Sequence, residues 1–192
     1  QPADPGLHRR LILALDVIEH RFERGVVITT SGIDKFYSNG LDLQLALSTE
    51  GFFESYLWRL FQKFLTYPMP TISLVNGHAF AAGFMLGMHH DYRIQNPSRG
   101  FVCVNELDFG APLQAPMVSV FREKLPAATF RNAILEARRF GGREALEAGI
   151  VDALGGLDDA LAFVKSRGLH RKAESGVYGT LREEMYRGLL AV

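Results

Sequence analysis

Three short stretches hold residues whose types and spacing could do chemistry. The first is SNGLDL, where Gly40 permits a tight turn and leaves the next backbone N–H, that of Leu41, free to point inward. The second is HAFAAG, which runs into FMLGMHH. There the N–H of Ala82 stands at the start of a helix, and Ala81, Ala82 and Gly83 are small enough for a ligand to approach the backbone. Two such donors converging on one point make an oxyanion hole, which stabilises negative charge developing on a carbonyl oxygen. The same loops also serve as plain turns with close helix packing, and spacing alone leaves both readings open. The third stretch holds Glu106, between the apolar run FVCV and LDFGAPL. A lone acid there sits either at a strand end facing water or in a pocket. In an apolar pocket, desolvation would raise its pKa and make it a competent base near neutral pH.

Neighbouring groups read less clearly. Asp108 is a possible second acid, Asn105 either hydrogen-bonds Glu106 or ends the strand, and Asp42 caps the helix after it. His78 reads as loop packing or a substrate contact. His89 and His90 are adjacent, so on a helix they point about 100° apart, which is poor geometry for joint metal ligation. No metal is expected, and there is no GxSxG elbow or P-loop.

These residues need elements to hold them. Leu7, Leu11, Ala14, Leu15 and Ile18 recur at helical spacing and predict an amphipathic helix ending near Gly25. VVITT comes next as a buried strand, then SGIDKFYSNG as a loop. FFESYLWRLFQKFLTY reads as one long helix stopped by Pro68 and Pro70, its apolar residues mostly core and in part the wall of a ligand tunnel. TISLV is a second buried strand, and NGHAFAAG a second glycine-containing loop. YRIQ and FVCV read as strands separated by the turn NPSRG. From Gly110 the chain turns helical, with caps and breaks at Pro112, Pro116 and Pro126. A short extended piece, VDAL, interrupts the later helices. Strands alternate with helices, so the class is α/β with mainly parallel pairing. The chain opens straight into a helix, and a first strand that would give the sheet its edge reads as missing.

Composition removes several classes. The 192 residues, 47% apolar and 22% charged, suit one sizeable globular unit. Formal net charge is zero, against the basic surplus of a nucleic-acid binder, and no nucleic acid is expected as a partner. Arg138, Arg139 and Arg143 read as a solvated helix face rather than a phosphate site. The single cysteine, Cys103, forms no intrachain disulfide and reads as core. No apolar run approaches the ~20 residues a membrane span needs. QPADPGLHRR lacks the apolar stretch of a signal peptide, and Leu190, Ala191 and Val192 are not an SKL-type ending.

FYSNGLDL, PTISLVNGHAFAAGFMLGMHHDYRI and FVCVNELDFGAPL, in that order and spacing, resemble the signature segments of the crotonase (enoyl-CoA hydratase/isomerase) superfamily. They are most like the monofunctional Δ3,Δ2-enoyl-CoA isomerases of plants and fungi. The likeness extends to GREALEAGIVD and YGTLREEMY. It implies a crotonase-like spiral of ββα turns over 1–140 and a helical C-terminal region over 141–192. It implies backbone donors at Leu41 and Ala82, a general base at Glu106, and substrate contacts from Phe36, Gly40, Asp42, Gly83 and Met85, with Lys35 a further candidate near the CoA. Hydratases of this kind carry a second glutamate where this chain has Met85. Methionine cannot move a proton but can line an acyl pocket. The resemblance therefore implies double-bond isomerisation of a 3-enoyl-CoA by one carboxylate. Hydration, dehydration or thioester hydrolysis of another acyl-CoA, or acyl-CoA binding without turnover, stay open as alternatives. It further implies no cofactor beyond the CoA of the substrate, a homotrimer or hexamer, and a peroxisomal location, with a cytoplasmic one also open because no address is readable.

Overall fold

The computed structural model describes residues 6–191; the first five residues and Val192, which enter the sequence readings of the two termini, lie outside the described residues. The chain threads two parallel sheets in turn. Strands β1 (Val27–Thr29), β3 (Thr71–Val75), β5 (Tyr92–Gln95) and β7 (Ala153–Leu154) form a larger sheet in the order β1-β3-β5-β7. Strands β2 (Phe36–Ser38), β4 (His78–Phe80) and β6 (Val102–Cys103) form a smaller one in the order β2-β4-β6. Every pairing between these strands is parallel. Consecutive strands thus alternate between sheets, which is the expected spiral of an α/β crotonase-like fold.

The helices fill the outside and the space between. α1 (Gly6–Arg21) lies over α3 (Arg59–Leu65) and buries Leu15, with Leu11, Ile12 and Ile18 packed beside it. Leu7 and Ala14 lie off that face, so the inward stripe is narrower than the sequence spacing suggests. α2 (Leu43–Ser48) precedes α3, and a π-helical stretch, Phe53–Trp58, runs into it. The expected single long helix is therefore a π turn joined to a short α-helix. It ends at Leu65, ahead of Pro68, which restricts the residue before it to extended backbone.

α4 (Ala82–His89) is buried along almost its whole length. After it come α5 (Ala115–Lys124), α6 (Ala127–Leu135), α7 (Gly142–Glu147), α8 (Leu157–Ser166), α9 (Tyr178–Met185) and α10 (Arg187–Leu190). Pro126 caps α6 and Pro116 lies in the first turn of α5, where a missing N–H costs nothing. Arg138 and Arg139 are not on a helix face as expected. They sit in the irregular link between α6 and α7, where Arg138 pairs with Glu144.

Strand β3 is buried at all five residues because both faces are covered. Ile72 and Leu74 join Ile94, Ala160 and Leu169 under α8. Ser73 faces α4, where a Cβ on Gly87 would come within 3.3 Å of its hydroxyl.

Candidate active site

Each strand of the small sheet delivers one piece of the site. Ser38 ends β2 and leads through Asn39 and Gly40 to Leu41. Phe80 ends β4 and leads through Ala81 to Ala82. Cys103 ends β6 and leads through Val104 and Asn105 to Glu106. The strands are parallel and adjacent, so these three exits share one edge, the carboxyl edge, where ligands gather in open α/β sheets. An irregularity in β2 between Phe36 and Ser38 turns the first exit toward its neighbour.

Two glycines bring the exits into contact. Gly40 has a φ of 95°, and a Cβ there would lie 3.1 Å from the Ala81 Cβ and 3.7 Å from the Ala82 nitrogen. Gly83 would place a Cβ 2.6 Å from the Ser38 carbonyl oxygen, so the first turn of α4 seats directly on the end of β2. Both contacts require the absence of a side chain.

Ala81 holds φ 52° and ψ −127°, a conformation that non-glycine residues rarely adopt. It is held there from both sides. Its N–H donates to the Cys103 carbonyl at 2.9 Å, and its own carbonyl accepts from Phe84 and Met85, each at 3.0 Å. The turn aims the next N–H, that of Ala82, out of the strand. As the first residue of α4, Ala82 has no intrahelical acceptor. Among the described residues, neither its N–H nor that of Leu41 donates to another protein group. Such a pair of free donors beside a cavity can hold a carbonyl oxygen.

Glu106 opens a 3-10 turn, Glu106–Phe109, and its carbonyl accepts the Ala111 N–H at 3.0 Å. The residue is 8% exposed, and its Oε2 is buried without a partner, as is the Asn105 Oδ1. Burial pushes the Glu106 carboxyl above the usual glutamate range; a backbone hydrogen bond pulls weakly the other way. A buried acceptor left unmatched is costly, so a structure that keeps one leaves room for a function.

Leu41, Ala82, Met85 and Glu106 all line one cavity of about 540 Å³. Among the described residues of that lining, Glu106 is the only acid, and the wall is otherwise apolar apart from Asn39, Asn105 and Gln114. The other sequence candidates stand back from it. Gly40 and Gly83 pack the two loops together. Phe36 lies against the His78 ring, 5.5 Å between centroids, with the Lys35 ammonium 5.3 Å above it. Asp42 spends its carboxylate on the Leu45 N–H at 3.0 Å, as the cap of α2. His78 packs among Phe36, Phe80 and Phe101, and its Nδ1 accepts the Phe101 N–H.

Phe53 of the π turn faces the cavity, in line with the reading of that stretch as partly tunnel wall. Sequence reading missed other parts of the wall: Leu43 and Leu47 of α2, Phe109 and Met117 also face the cavity. Leu43 and Leu47, four residues apart and 51% and 79% exposed, mark one helix face, a signal available in the sequence had α2 been recognised. His89 and His90 are accounted for by packing. His89 stacks on Phe61 with centroids 3.9 Å apart and meets the Met85 carbonyl at 2.7 Å. Burial pushes its pKa down to about 3. His90 meets the Leu86 carbonyl and Thr29 Oγ1, each at 2.8 Å.

Known proteins resemble this chain in sequence and in fold. A family model described as enoyl-CoA hydratase/isomerase matches residues 4–167. The Enoyl-CoA delta isomerase 1, peroxisomal, of Arabidopsis thaliana is 37% identical over 178 residues, covering 88% of this chain and 73% of that protein. Enoyl-CoA delta isomerase 3 of the same plant is 30% identical over 195 residues, covering 95% and 82%. The crystal structure of human mitochondrial delta3-delta2-enoyl-CoA isomerase superposes with a TM-score of 0.85 over 98% of this chain and 76% of that one; at 21% identity this likeness speaks for the fold.

Proposed function

The chain belongs to the enoyl-CoA hydratase/isomerase family, and from that membership we propose that it is a Δ3,Δ2-enoyl-CoA isomerase with Glu106 as its single acid–base group. One observation carries the reading: among the described residues the cavity presents one carboxylate, buried and with a free oxygen, and Met85, which the resemblance matches to the second glutamate of hydratases, stands in the same wall.

The chemistry rests on that inventory. The thioester oxygen of a 3-enoyl-CoA accepts from the Leu41 and Ala82 N–H groups. Glu106 Oε2 takes a proton from the α-carbon, and the freed electron pair delocalises onto the thioester oxygen. The result is a dienolate conjugated with the C3–C4 double bond. Glu106 then returns the proton to C4, the electrons fall back to form the C2–C3 double bond, and the thioester carbonyl is restored. No water enters and no bond to CoA breaks. The two backbone donors are fixed before the charge forms, so they need not reorganise as it does; losing one such donor typically costs ~2.7–4 kcal/mol. Burial raises the Glu106 pKa, which strengthens the carboxylate as a base for the first proton transfer, and the same carboxyl then gives that proton back at C4.

Hydration would need a second polar group to hold and activate water opposite Glu106, and Met85, fully buried, supplies none. The amides of Asn105 and Gln114 can bind water without moving its proton. We extend two further features from the relatives. One is a peroxisomal location, as the Arabidopsis relative's name has it, testable by whether the full-length protein tagged with a fluorophore co-distributes with a peroxisomal marker. The other, which rests on the family resemblance, is a trimer or hexamer, checked by light scattering.

The deciding experiment monitors a trans-3-enoyl-CoA by absorbance as the conjugated 2-enoyl thioester forms. Conversion without uptake of water or release of CoA supports the reading. Binding without conversion would overturn it in favour of a non-catalytic member. A product heavier by one water would make the protein a hydratase.

A further inference from the structure

α4 has one end in the site and the other far from it. Its first residue presents the Ala82 N–H, and its last carbonyls emerge beyond the sheet, where helix termini leave such groups without internal partners. One side chain collects them. Lys124, the final residue of α5, donates from Nζ to the Met88 carbonyl at 2.7 Å and to the His90 carbonyl at 2.8 Å. Arg93 of β5 adds a bond from Nη1 to the same His90 carbonyl at 3.1 Å. The Lys124 ammonium also lies 4.8 Å above the ring of Tyr186, which closes it from the other side.

The connection matters because α5 belongs to the base. The segment 106–114 runs from Glu106 through its 3-10 turn directly into α5, whose Met117 lines the cavity with Glu106. Nearer the site, α4 and α5 touch through Phe84, in the first turn of α4, and Phe121, edge to face with centroids 5.0 Å apart. That contact is apolar and sets no direction. The two Lys124 bonds are directional, and they sit at the end of the helix where leverage on Ala82 is greatest. A two-turn helix about 12 Å long transmits a tilt at one end as a shift at the other.

We infer that Lys124 is a positioning residue: by clamping the carbonyl end of α4 to α5, it sets where the Ala82 N–H stands relative to Glu106. The inference rests on the oxyanion-hole reading of the site but not on which acyl-CoA reaction the site performs. Burial and the neighbouring Arg93 push the Lys124 pKa well down. The clamp holds in either state, because a neutral amine still has two N–H groups for the two carbonyls.

The test reads the hole directly. A para-dimethylaminocinnamoyl thioester of CoA is a push–pull chromophore that absorbs at longer wavelength when its carbonyl accepts strong hydrogen bonds. Bound to the native protein it should shift red. In Lys124→Met the dye should still bind but lose most of that shift, and kcat should fall ~10–100-fold with KM unchanged, the cost of slightly misplaced catalytic groups. Thr129→Val is the control. It removes another buried side-chain clamp, to the Ala148 carbonyl at 2.9 Å, on α6 away from the site. It should lower stability and leave the red shift intact. If Lys124→Met does not fold, Lys124→Gln, shorter by one bond and with a single amide to offer, carries the same measurement. An unchanged red shift in a folded Lys124 variant, or an equal loss in Thr129→Val, overturns the inference. A native protein that shifts the dye but turns over no 3-enoyl-CoA defeats the isomerase reading alone. A native protein that binds the dye without any shift has no working hole, and both fall together.

Discussion

The two sheets of this molecule do different work. The larger one is built for burial. All five residues of β3 are enclosed, Ile72 and Ile94 have no exposure at all, and α8 and α4 cover opposite faces. The smaller one has strands of three, three and two residues, and β2 is only half-buried. Its strands end in a strained alanine, an unmatched carboxylate oxygen and backbone donors without acceptors. Burial is concentrated in one sheet, and the proposed chemistry stands at the rim of the other. α4 joins them, packing on β3 through Gly87 while seating its first turn on the end of β2. The contrast teaches where unfavourable features can be kept: beside a scaffold that does not depend on them.

Glu106→Gln should give the largest effect and fall wholly on the chemical side. Removing the one carboxylate that the described residues give the cavity should lower kcat roughly 100- to 10,000-fold, the usual worth of a positioned acid–base group, while acyl-CoA still binds. The pH–rate profile of the native protein should carry an acid limb above the ordinary glutamate range, and the variant should lack it. Stability should move the other way. A carboxyl whose folded pKa lies above its unfolded value holds its proton more tightly when folded, so its contribution is present below the unfolded pKa and is lost as pH rises through the folded one. Above its unfolded pKa Glu106 therefore weakens the fold, and Glu106→Gln should unfold at a higher temperature than the native protein, with the gain shrinking as the pH is lowered.

Ile72→Ala breaks the comparison from the other side. Ile72 is fully buried under α8, and truncation should cost ~2–5 kcal/mol in denaturant unfolding through lost transfer energy and the cavity left behind. The kcat per folded molecule should not change. If it falls as far as stability does, scaffold and site are not separable, and the division between the sheets is wrong.

The same division explains what is legible in the sequence. TISLV and YRIQ read as strands because burial on one or both faces demands apolar or β-branched runs. β2 and β4 instead read as loops. Three residues are too few to show alternation, and HAF and FYS lie beside glycines that also serve as turn signals. The proposed site stands at the ends of the strands that periodicity does not reveal, and resemblance rather than periodicity points to Leu41, Ala82 and Glu106. Phe36 and Asp42 read as substrate contacts from proximity along the chain; the structure shows one packed on His78 and the other capping a helix, roles that periodicity alone does not separate from a substrate contact. The π turn is hidden inside one expected helix because its apolar content runs on into α3, and α2 is too short to show a period of its own.

Ala81→Gly sharpens the comparison at a smaller scale. A glycine adopts φ 52° and ψ −127° without the steric cost an alanine bears, which is of order 1–3 kcal/mol. Part of the gain is offset by the ~0.5–1 kcal/mol of extra backbone entropy that glycine loses on folding. The variant should be more stable by about 1 kcal/mol in thermal or chemical unfolding. It should also be slower, because the Ala82 N–H then hangs on a looser turn. A variant gaining both stability and rate would show that the strain does nothing for the site.

Asp42 gives the smallest effect and separates two roles for one carboxylate. As a cap it accepts the Leu45 N–H and starts α2, a six-residue helix whose Leu43 and Leu47 face the cavity. Asparagine caps about as well as aspartate and alanine does not. Asp42→Asn should therefore behave like the native protein, whereas Asp42→Ala should lose ~0.5–1 kcal/mol, the low end expected for an exposed cap. The loss should appear as faster amide exchange over 43–48 and a raised KM, because a frayed α2 no longer holds its side of the wall. The kcat should hold, since neither donor nor base rests on α2. A substrate contact through charge would reverse the pattern, with asparagine failing as badly as alanine. The equality or inequality of those two variants decides whether Asp42 acts on the acyl-CoA directly or only through the helix that it begins.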